Sequence, residues 1–205
     1  MLSVLLPVLL YALLSLALAV VTILVLGSFV TFLVERNSYH QAFVQGRVPD
    51  PLPQGFHPGM AHVLLDKPVP WLGKSFDRDQ QRGFNIFTPL GAKILKIASP
   101  FYPKFTVNED GNTRAYYFKT WVGKGKKDVN VDVLKLDYAA VRENPLFIRI
   151  ILDEVVEVAP EQYLGKIHVK LLPGFFVTIG YFGLTEQPQE AVANALLDER
   201  VIAVR

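Results

Sequence analysis

The sequence contains no cysteine. Disulfide bonds, thiolate metal sites and a lipidated N-terminal cysteine are therefore excluded, while the redox compartment stays open. Charge is also missing from one end. From Met1 to Val34 there is no Asp, Glu, Lys, Arg or His, and every charged side chain lies from Glu35 onward. Over the whole chain the imbalance is slight: a net charge of +2 across 205 residues is too small to indicate a nucleic-acid partner. Several catalytic signatures are absent too. Gly123-Lys124-Gly125-Lys126-Lys127 has neither the spacing nor the following helix of a phosphate-binding loop, and no Gly-x-Ser-x-Gly elbow occurs. His40, His57, His62 and His168 lack zinc-ligand spacing. No metal and no cofactor are expected.

What is present begins with the uncharged run itself. An apolar stretch of more than about 18 residues reads as a membrane span, because roughly 20 residues at 1.5 Å each cross the hydrocarbon core. Only a helix satisfies its own backbone there. This run is longer than one bilayer needs, so it must tilt, bend or protrude. Ala17-Leu18-Ala19 fits a signal-peptide cleavage site, but no basic region precedes it and the apolar run continues past it. An uncleaved anchor is the expectation. Arg36, Arg47 and Lys67 follow the helix and no basic side chain precedes it, so in a bacterial-type inner membrane the remainder is expected on the cytoplasmic side.

Four segments follow from composition: an anchor helix over 1–36, a Pro-rich tether over 37–70, a β-barrel domain over 71–186, and a C-terminal helix or tail over 187–205. Pro49, Pro51, Pro53, Pro58, Pro68 and Pro70 argue against a long helix or a central strand in the tether. Beyond Trp71, the spacing predicts strands over 84–88, 104–108, 113–122, 129–138, 155–158, 163–171 and 175–184. A short helix is expected over 89–99, capped by Thr88 with Pro89 at its first position. A helical turn is expected after Asn144-Pro145 and an amphipathic helix over 189–201. Short strands separated by turns indicate an antiparallel meander curled into a barrel. The fold class expected is mainly β: a transmembrane helix, then an antiparallel lipocalin-like barrel with one or two short helices.

Two sets of residues carry candidate chemistry. Aromatic side chains fall on adjacent predicted strands, and Trp71, Tyr116, Phe118, Trp121, Tyr163 and Tyr181 are the expected lining of a hydrophobic ligand pocket. The competing reading is ordinary core, with Trp71 plugging the barrel floor. Arg149, Asp153, Glu154 and His168 form the polar cluster. Asp153 and Glu154 point to opposite sheet faces, so one of them enters the barrel and meets Arg149, Lys166 or His168. A carboxylate buried in this way serves as general acid or base, or simply clips a helix to the sheet. The basic turn at Lys124, Lys126 and Lys127 is either a solvated loop or a contact with anionic headgroups.

Two runs carry a resemblance. Trp71-Leu72-Gly73-Lys74-Ser75-Phe76 resembles the Trp-x-Gly-Lys-x-Phe run of GXWXG-type domains of unknown function. Leu136-Asp137-Tyr138, Asn144-Pro145, Arg149, Asp153-Glu154-Val155, Tyr163-Leu164-Gly165-Lys166 and Tyr181-Phe182-Gly183-Leu184 are similar to uncharacterised bacterial proteins with small lipocalin-like barrels. The resemblance implies a barrel and a lipophilic ligand, and assigns no catalytic residue. The expected function is a tethered barrel that binds or presents a hydrophobic small molecule or lipid at the bilayer. The alternative is a non-catalytic accessory subunit of a larger membrane complex, with Gly27 and Ser28 as small contact residues of its anchor. A lipid-directed enzyme using Asp153, Glu154 or His168 is a third.

Overall fold

The computed structural model describes residues 2–63, 69–108 and 111–185. The apolar run forms one helix, α1 (Leu2–Val34), and its stretch from Pro7 to Val34 is long and apolar enough to cross a membrane. Asn37 caps a second helix, α2 (Ser38–Gln45), by accepting from the His40 amide at 3.1 Å.

The strands are β1 (Gly55–Val63), β2 (Trp71–Asp77), β3 (Arg82–Phe87), β4 (Thr106–Val107), β5 (Thr113–Lys124), β6 (Asp132–Asp137), β7 (Ile151–Ala159), β8 (Gln162–Leu172) and β9 (Phe175–Thr185). Every pairing is antiparallel, in the order β3-β2-β1-β9-β8-β7-β6-β5, and β3 also pairs with β5. That last pairing closes an eight-stranded up-and-down barrel, with the two-residue β4 appended to β5. Closure removes the open edges that an eight-stranded sheet would otherwise expose. Two short helices interrupt the meander: α3 (Pro89–Ala98), capped by Thr88 as expected, and α4 (Leu146–Arg149).

One strand lies where the sequence argued for a tether. β1 is formed from Gly55-Phe56-His57-Pro58-Gly59, a run whose proline and glycines read as irregular backbone. The physical reason is a change of partner in mid-strand. Residues Gly55 to Pro58 pair with β2, and Gly59 to Val63 pair with β9, so neither half needs hydrogen bonds on both sides. Pro58 sits at the change, where its missing N–H costs least. Opposite it, Gly73 has φ +137°, and an added Cβ there would strike the His57 carbonyl. The barrel therefore begins at Gly55 rather than Trp71. The helix expected over 189–201 lies outside the described residues.

The interior is filled by Phe76, Phe118, Leu134, Leu136, Val155, Tyr163, Phe182 and Leu184. A second buried cluster lies outside the wall, where α2 covers β7, β8 and β9. There Phe43, Val133, Val156, Leu164 and Tyr181 pack together, with Tyr39 stacked on Tyr181 at 5.9 Å. Inside the barrel the Phe182 ring occupies the space that a Cβ on Gly165 would fill. Gly165→Ala is therefore expected to destabilise the protein by about 1–3 kcal/mol through overpacking, read as a lower denaturant midpoint at unchanged slope.

Candidate functional site

One end of the barrel is filled and the other is open. The open end, here the mouth, is where β2, β5, β7 and β9 begin and where β1, β3, β6 and β8 finish. A cavity of about 260 Å³ lies inside it. Its walls are Ala61, Val69, Trp71, Phe87, Tyr116, Ile148, Ile151, Ile167 and Phe182, and its floor is polar: Lys74, Asn85, Tyr138 and Asp153.

The floor is one connected network. A bulge between Trp71 and Gly73 shifts the alternation of β2 by one residue, so Trp71 and Lys74 both face inward. Lys74 Nζ donates to Asn85 Oδ1 at 2.8 Å, to the Tyr138 oxygen at 2.7 Å and to Asp153 Oδ2 at 3.0 Å. Those three bonds use all the hydrogens an ammonium has. Four rings surround it: Trp71, Phe118, Tyr138 and Phe182, with centroids 4.8–5.4 Å from Nζ. Tyr138 donates to Asp153 Oδ2 at 3.0 Å, and Trp71 Nε1 donates to Asn85 at 3.1 Å. Burial pulls the Lys74 ammonium below its ordinary range, which the charge of Asp153 and its hydrogen bond partly offset. Burial, and then Asp153, push the Tyr138 phenol well up, so it stays a donor. Asp153 Oδ1 accepts no hydrogen bond among the described residues.

Tyr116, on the wall, has a φ of 52° at an irregularity in the β3–β5 ladder. Its amide donates to the Tyr102 oxygen at 3.0 Å, and its hydroxyl bonds Ser99 at 2.9 Å. A bulky residue held in the left-handed region by such contacts is a strained position fixed by its surroundings.

The expected lining residues divide. Trp71 and Tyr116 line the cavity, with Trp71 at the mouth instead of plugging the floor. Phe118 is inside but beneath the cavity, against Lys74. Tyr163 is at the filled end, edge-on to His57 at 5.4 Å. Tyr181 faces outward under α2, and Trp121 stands on the outer wall with 42% of its surface exposed. The outward pair follows from strand parity: Tyr181 is opposite Lys166 and Trp121 opposite Lys135, both on the outer face.

The polar cluster also divides, across the barrel wall. Asp153 is the inward carboxylate, and its cation is Lys74, which the sequence reading missed. Glu154 faces outward and is fully buried, accepting from Lys135 Nζ and from the Lys126 amide at 2.7 Å, with His168 Nε2 at 3.1 Å. Burial raises its carboxyl, but His168 and Lys135 outweigh that and leave it below the ordinary value. Arg149, at the end of α4, meets neither carboxylate, and its Nε is buried without a hydrogen-bond partner among the described residues. An acid–base constellation of Asp153, Glu154 and His168 does not assemble, because a sheet separates the first from the other two.

The outer network reaches α1. Thr178 donates its amide to Thr31 Oγ1 at 3.0 Å and its hydroxyl to Glu35 at 2.8 Å, while its Oγ1 lies 3.3 Å from His168 Nδ1. Lys166, fully buried, bridges Glu35 and Asp128, each at 2.7 Å.

No family model and no curated protein matches this chain. A solved structure of a protein from Thermomonospora curvata aligns at 16% identity over 83% of this chain and 97% of that one. Its TM-score is 0.40.

Proposed function

We propose that this protein is a membrane-anchored, lipocalin-like β-barrel that binds or presents a hydrophobic small molecule or lipid at the membrane surface, with the barrel on the cytoplasmic side. What supports this reading is the cavity at the mouth: apolar walls around a small, connected polar floor, the usual make-up of a ligand site. At about 260 Å³ it lies just below the ~300–1,000 Å³ range of such sites. It suits a compact molecule or one end of a longer one.

The floor narrows the chemistry further. Lys74 and Asp153 neutralise one another, so a charged group brought down to them would sit buried without a counter-charge, at high cost. Lys74 has no hydrogen left to give, whereas Asp153 has an oxygen left to accept with. The ligand class that fits is neutral and mostly apolar, with one hydrogen-bond donor such as a hydroxyl. The accessory-subunit alternative loses one of its supports, since Gly27 packs on Val177 and Phe175 of the same chain.

Native mass spectrometry of the full chain, extracted gently from its own membrane, tests the reading. The expected result is a bound mass that leaves on denaturation. It should be absent from Ile167→Trp, which fills the cavity while the barrel stays folded. An empty cavity in the parent, together with failure to take up an added long-chain alcohol, would refute it. Preferential uptake of the matching fatty-acid anion would overturn the assigned ligand chemistry.

A further inference from the structure

The apolar helix leaves the barrel on the same side as the mouth. The last turns of α1 run along β9: Thr31 bonds the Thr178 amide, and one turn earlier a Cβ on Gly27 would lie 2.6 Å from Val177 and 2.9 Å from Phe175. Moving back along α1, toward the middle of the apolar stretch, therefore means moving along β9 toward the Pro173-Gly174 turn at the mouth. After α1 the chain travels the opposite way. α2 covers Val156 and Tyr181, and Arg47 then pairs with Glu157 near the filled end. The barrel is thus held with its mouth toward whatever α1 crosses. The stretch Pro7–Val34 is 28 residues long, whereas one hydrocarbon core needs about 20. The surplus is the part that β9 accompanies.

The rim of the mouth has the surface of something seated in a bilayer. On α3, Gly91 and Ala92 are buried, while Leu90, Ile94 and Ile97 follow one another at helical spacing and are 64%, 50% and 83% exposed. Phe101, just beyond, is 95% exposed, and Leu146 on α4 is 77% exposed. Lys93 and Lys96 flank the apolar row of α3, and Arg149 ends α4; none of the three makes an ion pair among the described residues. Lys126 lies over the Phe176 ring at 4.6 Å, beside the same part of β9. Apolar side chains interleaved with free cations are what an interfacial helix presents to lipid. By contrast, turns at the filled end read Arg78-Asp79-Gln80-Gln81 and Pro160-Glu161.

We infer that the rim formed by α3, α4 and the β8–β9 turn sits in the interface of the bilayer that α1 spans, so that the cavity opens directly into lipid. This rests on the membrane-anchored reading above and adds the source of the ligand: it passes between bilayer and cavity without entering water. Leu90, Ile94, Ile97, Phe101 and Leu146 are the contact residues, and Lys93, Lys96 and Arg149 meet phosphate headgroups.

The cysteine-free sequence makes the test direct. Ile97→Cys, Phe101→Cys and, at the other end, Gln80→Cys are each labelled with an environment-sensitive fluorophore in the full chain, reconstituted into vesicles containing anionic lipid. The expected result is several-fold stronger quenching of the labels at 97 and 101 by brominated acyl chains than by aqueous iodide, with the reverse at 80. Labels at 97 and 101 that respond as the one at 80 does, or that are shielded from both quenchers, would overturn the inference. Ligand occupancy is read separately by native mass spectrometry. Lipid quenching with no bound mass leaves the seating intact and refutes the ligand reading, whereas a bound mass with aqueous quenching does the opposite.

Discussion

Replacing Lys74 by methionine is expected to cost about 3–5 kcal/mol of stability. The loss comes less from the lysine's own bonds than from what it leaves behind. Asp153 remains in the interior with Tyr138 as its one hydrogen-bond donor among the described residues, and a carboxylate without its cation in that setting carries nearly its full desolvation cost. Lys74→Met/Asp153→Leu should recover much of the loss, because an apolar pair of similar volume avoids burying charge at all. Denaturant unfolding of the four proteins of the cycle measures the coupling. If the double substitution costs the sum of the two single ones, the coupling is zero, the ion pair contributes nothing, and Lys74 is held by its other contacts alone.

The second large effect belongs to the outer network. Lys166→Met removes the cation shared by Glu35 and Asp128 and should destabilise the contact between helix and barrel by about 2–4 kcal/mol, less than for a fully buried pair. The discount follows from the carboxylates keeping 22% and 14% of their side-chain surface exposed. The same network has a predictable pH dependence. Burial raises Glu35 and Glu154, but Lys166 and Thr178 in one case and His168 and Lys135 in the other bring both below 4.5. A carboxyl whose folded value lies below its unfolded one contributes its full stabilisation above the unfolded value, and loses it as pH falls through the folded one. Unfolding measured as pH is lowered from 4.5 should show a declining midpoint, and the decline should be shallower in Lys166→Met, where Glu35 has lost its cation. An equal slope in both proteins would mean that Glu35 contributes nothing to it.

Much of the barrel was legible because most of its strands alternate. From Thr113 onward a strand was expected where each one lies. Two came from alternation over 129–138 and 163–171 and the others from apolar or aromatic runs between turn residues, although β7 starts at Ile151, ahead of the expected 155–158. The helix α3 was found from its Thr88-Pro89 start. β1 was not, because its irregular composition reflects a change of partner that involves residues far along the chain. The site was half legible for a related reason. Parity placed Asp153 and Glu154 on opposite faces correctly, but which face is interior depends on closure. Sequence alone therefore could not say that His168 belongs with Glu154 and not with Asp153. Lys74 was missed because a lysine between Gly73 and Ser75 reads as a surface residue. The signal that would have found it is its shared alternation with Phe76, once a bulge at Gly73 is admitted. Of the six expected lining rings Trp71 and Tyr116 line the cavity, and Trp121 and Tyr181 show that an aromatic on a strand is as readily outer wall as pocket.

The seam of the barrel, where Gly59 stands beside Leu184, sets the order of events on the ribosome. The first strand made pairs with the last, and every other strand emerges between them. Contacts this distant in sequence are slow to form, since the loop must be closed before the pairing rewards it. While the chain lengthens, β1 waits with half its hydrogen bonds unmade. A nascent chain stalled before Thr185 is an open, curved sheet with two unpaired edges, the form most prone to join a neighbouring chain. Only completion of the final strand converts it into a closed wall, so a cell that makes this protein has reason to finish each copy or destroy it.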